Sequence, residues 1–303
     1  MLFFPGWNTL LAGYLSANGN VLLFNDIFQG RWEFVMISKD LIGALLTFML
    51  AMGGCFILNQ LQDIDSDQRN QKLFLIGGKY IQEKNAYREG LLLLVFSLVI
   101  GFYVNISIFL LIVVFIIITA YLYNYQPFRF KNRPLWGLVA NMLMGWIAFA
   151  VGWSVSRSMT FSFLTASFPY LALNTSLYLL TTIPDAEGDL AAGKRTFCVR
   201  YGFAFTVWMA ILLYLLSLGY SSWINDQLIW LLNLFIFYFF LRLAFSASRA
   251  QVIRTIKMSI FFFSVLIATK FPWYVIIMIV IFFFTRYYYR QRFHFSYPNF
   301  RGE

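Results

Sequence analysis

The sequence predicts an all-α fold, a polytopic bundle of nine transmembrane helices with ten as the alternative. Three observations carry this. Only 12% of the residues are charged, about half of the roughly 25% usual in a soluble domain. Residues 91–128, 134–156, 158–184 and 201–225 carry no charge at all, and each matches or exceeds the roughly 20 apolar residues needed to cross a bilayer core. Basic residues recur in alternate connections, as the positive-inside rule requires of a multi-pass protein. A soluble core is excluded because too little polar surface remains to clothe it, and a membrane barrel because its strands would alternate apolar and polar residues.

The expected spans run over about 5–24, 38–60, 89–105, 107–124, 135–156, 160–183, 201–219, 227–246 and 258–286. The first is diluted by Asn8, Ser16, Asn18 and Asn20. The last is long enough to be two short helices, since Lys270 and Pro272 lie near its middle and proline breaks or kinks a helix. The whole chain reads as one membrane domain, 1–303, with no room for a soluble one. The start lacks the basic segment of a cleavable signal peptide, so none is expected.

The connections sort by charge. After the second, fourth, sixth and eighth spans come Arg69, Lys72, Lys79, Lys84 and Arg88; Arg129, Lys131 and Arg133; Lys194, Arg195 and Arg200; and Arg249, Arg254 and Lys257. The other connections carry far fewer. The even connections are therefore expected in the cytoplasm, with the protein in the cell (inner) membrane. The formal net charge of +10 fits orientation and anionic lipid headgroups rather than nucleic acid. Two cysteines, Cys55 and Cys198, offer neither a disulfide framework nor a thiolate zinc site. Nothing points to an obligate protein partner.

Six of the thirteen acidic residues fall in two short windows, Asp63, Asp65 and Asp67, then Asp185, Glu187 and Asp189. Each window follows an apolar span that ends on the cytoplasmic side. Asn59, Asp63 and Asp67 are spaced by four, as are Asp185 and Asp189, so on a helix each set shares one face. Like charges at that spacing repel, and a bound cation offsets the repulsion. Oxygen ligands without histidine suit Mg²⁺ or another hard divalent ion, and Mg²⁺ keeps positions open for phosphate oxygens. The competing reading is of solvated loop acids balanced by lysines. The repeated spacing at matching positions favours the metal. Lys72, Lys79, Arg129, Lys131, Lys194 and Arg195 lie on the same membrane face, and such cations beside Mg²⁺ neutralise a diphosphate. Pro127 should fix the turn that presents Arg129 and Lys131, while Lys194 can fold back on the pocket from a glycine-containing loop. The 36 phenylalanines would suit a cavity for an isoprenoid tail, where ring faces stabilise an allylic cation, although most of them read as ordinary core and lipid-facing residues.

These motifs resemble those of the UbiA superfamily of intramembrane prenyltransferases. The family's first motif, Asn-Asp-x-x-Asp-x-x-x-Asp, is matched by Asn59, Asp63 and Asp67, with Gln60 in place of the usual first aspartate. Its second, Asp-x-Glu-Gly-Asp-x-x-x-Gly-Lys-Arg-Thr, is matched at Asp185, Glu187, Gly188, Asp189, Gly193, Lys194, Arg195 and Thr196. Between them, Tyr123, Pro127, Arg129 and Lys131 follow a family Tyr-Ser-x-Pro-Pro-x-Arg-x-Lys element. The resemblance implies nine helices around a central cavity, with Mg²⁺-bound prenyl diphosphate as donor and a lipophilic acceptor, usually an electron-rich ring. It implies metal ligation by Asn59, Asp63, Asp67, Asp185 and Asp189, the four aspartates being catalytic. Arg129, Lys131, Lys194, Tyr123 and Asn59 would hold the diphosphate and its metals. A secondary transporter and a non-catalytic lipid-binding protein remain as rivals. The transporter would place charges in mid-span, whereas these acids sit at span ends. One test follows from the charge pattern. Single cysteines at Ser66 and Ala192 should react with a membrane-impermeant label from the same side, and opposite sides would overturn the topology.

Overall fold

A segment in lipid must satisfy its own backbone polar groups, which a helix does within one stretch of chain. The computed structural model describes residues 3–19, 34–64 and 75–294, and no strand occurs among them. The helices are α1 (Phe3–Asn18), α2 (Lys39–Gln62), α3 (Glu83–Val104), α4 (Ile106–Ile116), α5 (Pro134–Trp153) and α6 (Phe161–Thr181). The short α7 (Ala186–Ala191) and α8 (Phe197–Tyr201) follow. The chain continues through α9 (Phe203–Trp223), α10 (Gln227–Phe245), α11 (Arg249–Lys270) and α12 (Pro272–Phe293). Among the described residues, α2, α3, α5, α9, α10, α11 and α12 are long and apolar enough to cross a membrane. The α4 helix continues into a π-helical turn, Ile117–Leu122.

Polar side chains set the boundaries. Ser38 and Ser248 cap α2 and α11 by accepting from Leu41 N at 3.1 Å and Gln251 N at 3.2 Å. Asn105 ends α3 and caps α4, its Oδ1 accepting from Ser107 N at 2.7 Å. Prolines open α5 and α12, where the missing N–H has no helical partner to lose. Two expectations need correction here. Segment 258–286 is not one span: it divides at Phe271, with Pro272 starting α12. The connection expected over 247–257 is helical from Arg249, because the Ser248 cap starts α11 there.

The connections gather at two ends. Asp63 after α2, Lys131 after α4 and Lys194 after α6 meet through side chains, and Arg249 donates to Pro184 O at 2.7 Å. The four even connections therefore share one end. At the other end, Asn18 donates to Ser156 Oγ at 3.0 Å and Val35 N to Lys270 O at 3.0 Å.

Lipid tails compete equally for apolar side chains, so close packing and interhelical hydrogen bonds hold such bundles. Every residue of α1 from Trp7 to Leu15 is buried. It reaches this depth by crossing α5 at two glycines: a Cβ on Gly13 would overlap Phe149 O, and one on Gly152 would overlap Leu10 O. Polar ties reinforce the contacts. Trp7 Nε1 donates to Leu45 O at 3.1 Å, Asn8 Nδ2 to Ser264 Oγ at 2.8 Å and Tyr274 OH to Asn8 Oδ1 at 2.8 Å, so α1 is pinned to α2, α11 and α12. Ser176 Oγ likewise donates to Ala210 O at 2.6 Å between α6 and α9.

Gly152→Ala should destabilise the detergent-solubilised protein by roughly 1–3 kcal/mol, the range for forcing atoms into a packed core. Gly219→Ala is the control, since nothing lies within 4 Å of its added Cβ. Thermal unfolding should show a lower midpoint for the first variant and no loss for the second.

Candidate active site

The end that collects the even connections is built on one carboxylate. Helix α2 stops at Gln62, and Asp63 takes the cap position with its N–H on Gln60 O at 3.2 Å. Its side chain is 10% exposed, and its Oδ1 accepts from Lys131 Nζ at 2.9 Å and from Lys194 Nζ at 2.6 Å. Lys194 Nζ lies 4.0 Å from Asp189 Oδ1. Burial works against the Asp63 anion, but the charges of Lys131 and Lys194 outweigh it and hold the carboxyl below its ordinary range. Burial also pulls Lys131 below the usual lysine range, partly offset by Asp63. Asp63 and Asp189 are thus balanced by lysines, as the competing reading had it, yet these two are buried rather than solvated.

Each lysine is delivered by irregular backbone. At the end of the π-helical turn, Tyr123 N bonds Ile118 O at 2.9 Å, five residues back. π-Turns of this kind concentrate at functional sites. The chain then reverses through Arg129, which takes a left-handed conformation with φ 38°, and Lys131 lies in the 3₁₀ turn Phe130–Asn132. Phe130 stacks on Trp136 with centroids 5.1 Å apart, anchoring this turn to α5. On the other side, Gly193 with φ 71° lets the chain double back, and Lys194 N bonds Asp189 O at 2.8 Å. Lys194 thereby folds back to reach Asp63. Within α7, Asp189 N bonds Asp185 O at 2.9 Å, which keeps these two acids one turn apart as their spacing predicts.

The remaining expected residues are distributed unevenly. Asn59 is half-buried one turn before Asp63, and its Oδ1 is buried with no hydrogen-bond partner among the described residues. Arg129 is half-buried with Nε in the same condition. Asp185 is half-buried at the cap of α7, and Asp189 is buried. Asp67 and Asp65 lie outside the described residues. Helix α2 ends at Gln62 with Asp63 at its cap, so the part of the expected Asn59, Asp63 and Asp67 face that involves Asp67 lies outside the described residues. Glu187 is exposed, 3.8 Å from Arg249 Nη1, a surface pair of little energetic weight. Cys55 and Cys198 are buried and unpaired with each other.

Three polar residues at this site were not singled out by spacing. Asn124 is buried and its Oδ1 accepts from Lys131 Nζ at 3.2 Å. Tyr123 shares hydrogen bonds with Asn141 of α5 and Tyr178 of α6. The only signal in the sequence for Asn141 is its position as an amide within an otherwise apolar run.

Among the described residues, no three of the acids, histidine and cysteines form a group able to hold a metal ion. The donor chemistry nevertheless fits Mg²⁺. It comprises the Asp63 and Asp189 carboxylates, both within 4.0 Å of Lys194 Nζ, and the unpartnered Asn59 amide oxygen one helical turn before Asp63. All are hard oxygen donors.

The model of the UbiA prenyltransferase family matches residues 9–266. The chain belongs to that family. The match takes in both acidic segments and the Tyr123–Lys131 turn, and it ends before α12. Two curated relatives are named digeranylgeranylglyceryl phosphate synthase. The one from Methanobrevibacter smithii is 28% identical over 173 residues, covering 55% of this chain and 60% of the relative. The one from Methanosphaera stadtmanae is 24% identical, covering 58% and 63%. The chain thus spans about three fifths of the length of each. A solved UbiA homologue from Archaeoglobus fulgidus bound to DMAPP and Mg²⁺ superposes with a TM-score of 0.65 at 20% identity, covering 88% of this chain and 96% of that one. The shared fold places this chain among intramembrane helical bundles.

Asp63→Ala should leave the buried Lys131 ammonium and the half-buried Lys194 ammonium without their common partner, a loss of roughly 3–5 kcal/mol for a broken buried pair. Acid titration supplies a second check. A carboxyl held below its ordinary range contributes stability above the unfolded value of about 3.9, and this contribution disappears as pH falls through the folded value. Unfolding midpoints should therefore fall in that acid window for the native chain, and less so for Asp63→Asn.

Proposed function

We propose that this protein transfers a prenyl group from a prenyl diphosphate to a lipophilic acceptor within the membrane, with Mg²⁺ as cofactor. The observation that carries the reading is the convergence of Lys131 and Lys194 on Asp63, with Asp189 beside Lys194. Carboxylates for a cation and ammonium groups for a polyanion meet at the mouth of an apolar bundle, where a lipid diphosphate would sit. Family membership supports the reaction class, and the Mg²⁺ and DMAPP of the A. fulgidus homologue support the cofactor and donor.

Asn59, Asp63, Asp67, Asp185 and Asp189 would hold Mg²⁺, which when bound neutralises negative charge on the diphosphate. Lys131, Lys194 and Arg129 donate to phosphate oxygens, and these contacts strengthen as the leaving group gains charge. Lys131 and Lys194 are already assembled around Asp63, so little reorganisation is needed when substrate arrives. The allylic C–O bond breaks with its electron pair passing to the diphosphate oxygen. A lone pair or π pair of the acceptor forms the new bond to the allylic carbon, and the acceptor loses a proton. Burial of Asp63, Lys131 and Asp189 keeps water from the ionised carbon, limiting hydrolysis. The site end faces the cytoplasm in this reading, following the charge asymmetry of the connections.

Two acceptor classes stand against each other. The general pattern of the family favours an electron-rich ring. Similarity to proteins named for a glyceryl phosphate product favours a lipid glyceryl phosphate hydroxyl. Purified protein incubated with Mg²⁺, prenyl diphosphates of several lengths and an acceptor panel should give a prenylated product identifiable by mass. Turnover should vanish with EDTA, and Asp63→Asn and Asp189→Asn should each lose at least about a hundredfold, comparable to removing one transition-state donor. Normal turnover in both variants at limiting Mg²⁺ would remove the metal assignment. Absence of diphosphate release with every acceptor would favour the non-catalytic lipid-binding alternative.

A further inference from the structure

We infer that Asn124 is a positioning residue for the diphosphate-binding lysine, and that the π-helical turn before it exists to aim its side chain. The inference rests on the prenyl-transfer reading and deepens it. As the turn Ile117–Leu122 ends, Tyr123 N reaches back to Ile118 O at 2.9 Å. Asn124 N and Tyr125 N both turn to Tyr121 O, at 3.2 Å and 2.9 Å. None of these three amides is left to serve the carbonyls of Thr119 and Ala120. The Asn124 side chain takes their place, its Nδ2 donating to Thr119 O at 2.8 Å and to Ala120 O at 3.2 Å. With both amide hydrogens committed to backbone, the orientation of the amide is decided, and Oδ1 points away from those carbonyls. That oxygen accepts from Lys131 Nζ at 3.2 Å.

The consequence is specific to lysine 131. Its ammonium has two acceptors of different character, the Asp63 carboxylate at 2.9 Å and the neutral Asn124 amide at 3.2 Å. A cation or phosphate that competes for Asp63 would weaken the first contact. The second is held by rigid backbone and carries no charge, so it persists while Lys131 turns its other hydrogens to a phosphate oxygen. The neutral amide orients the lysine without cancelling the charge that the diphosphate needs. Asn124 is 1% exposed and Lys131 5%, so no water substitutes for the contact without rearrangement.

The test is a double-variant cycle on diphosphate release from geranyl diphosphate, with KM and kcat measured at saturating Mg²⁺. Asn124→Ala should lower kcat/KM roughly tenfold, the size of one hydrogen bond to a charged group. Asn124→Ala combined with Lys131→Ala should be no worse than Lys131→Ala alone, because the asparagine acts through the lysine. Asn124→Ser guards against loss of fold. Its hydroxyl can still bond the Ala120 carbonyl by the i−4 contact serine makes in helices, yet it is too short to reach Lys131, so it should repeat both results with a near-normal unfolding midpoint. Losses that multiply in the double variants, or native kinetics in Asn124→Ser, would overturn the inference. A native chain that neither releases diphosphate nor binds inorganic diphosphate would overturn the prenyl-transfer reading itself, and the inference with it.

Discussion

One buried carboxylate holds three separate connections of this bundle in register. Asp63, at the end of α2, accepts from lysines supplied by the α4–α5 turn and by the segment after α6. Removing three charged groups from water is expensive, and each is tolerated only because the others are there. That requirement constrains the chain far beyond the site. The π-helical turn, the left-handed Arg129 and the doubled-back Gly193 are all departures from regular backbone. Each serves to bring an ammonium group to the same oxygen or its neighbour.

The apolar part of the bundle supplies the rigidity this arrangement needs. Because lipid offers helices no hydrophobic incentive to associate, the contacts that matter are those lipid cannot imitate. Backbone approaches at Gly13 and Gly152 are one kind, and hydrogen bonds such as Asn8 to Ser264 and Tyr274 to Asn8 are another. Helix α1 carries much of this load, since its middle residues are buried on every side. The helices that deliver Asp63 and Lys131 are thereby tied into one framework, α2 to α1 through Leu45 and the Lys131 turn to α5 through Phe130.

The site also shows a division of labour between charged and neutral polar groups. Asp63, Asp189, Lys131 and Lys194 form a near-neutral set before any substrate arrives. Around them stand Asn124, Tyr123, Asn141 and Tyr178, which orient without adding charge. A binding site for a polyanion and its counter-cations gains from such a surround, because it fixes geometry while leaving the electrostatic balance to the ligand.

By itself the sequence determined the all-helical membrane class of fold, most of its apolar helices and the end of the molecule at which the basic connections gather. Those follow from local rules: uncharged runs long enough for a bilayer, caps such as Ser38 and Asn105, and the distribution of lysine and arginine. It also singled out Asp63, Lys131 and Lys194, which the fold brings together, because charge at the end of an apolar run stands out. The break at Phe271 was legible only as a possibility, since Pro272 can kink a helix or begin one. Tertiary structure alone decided that Asp63 pairs with two lysines. It alone revealed Asn124, Asn141 and Tyr178, whose roles depend on neighbours far along the chain or on a π-turn that no residue spacing announces. The physical reason is that charge and hydrophobicity are properties of single residues and short windows. The aim of an amide within a buried site is set by which backbone groups the folded chain leaves unpaired around it.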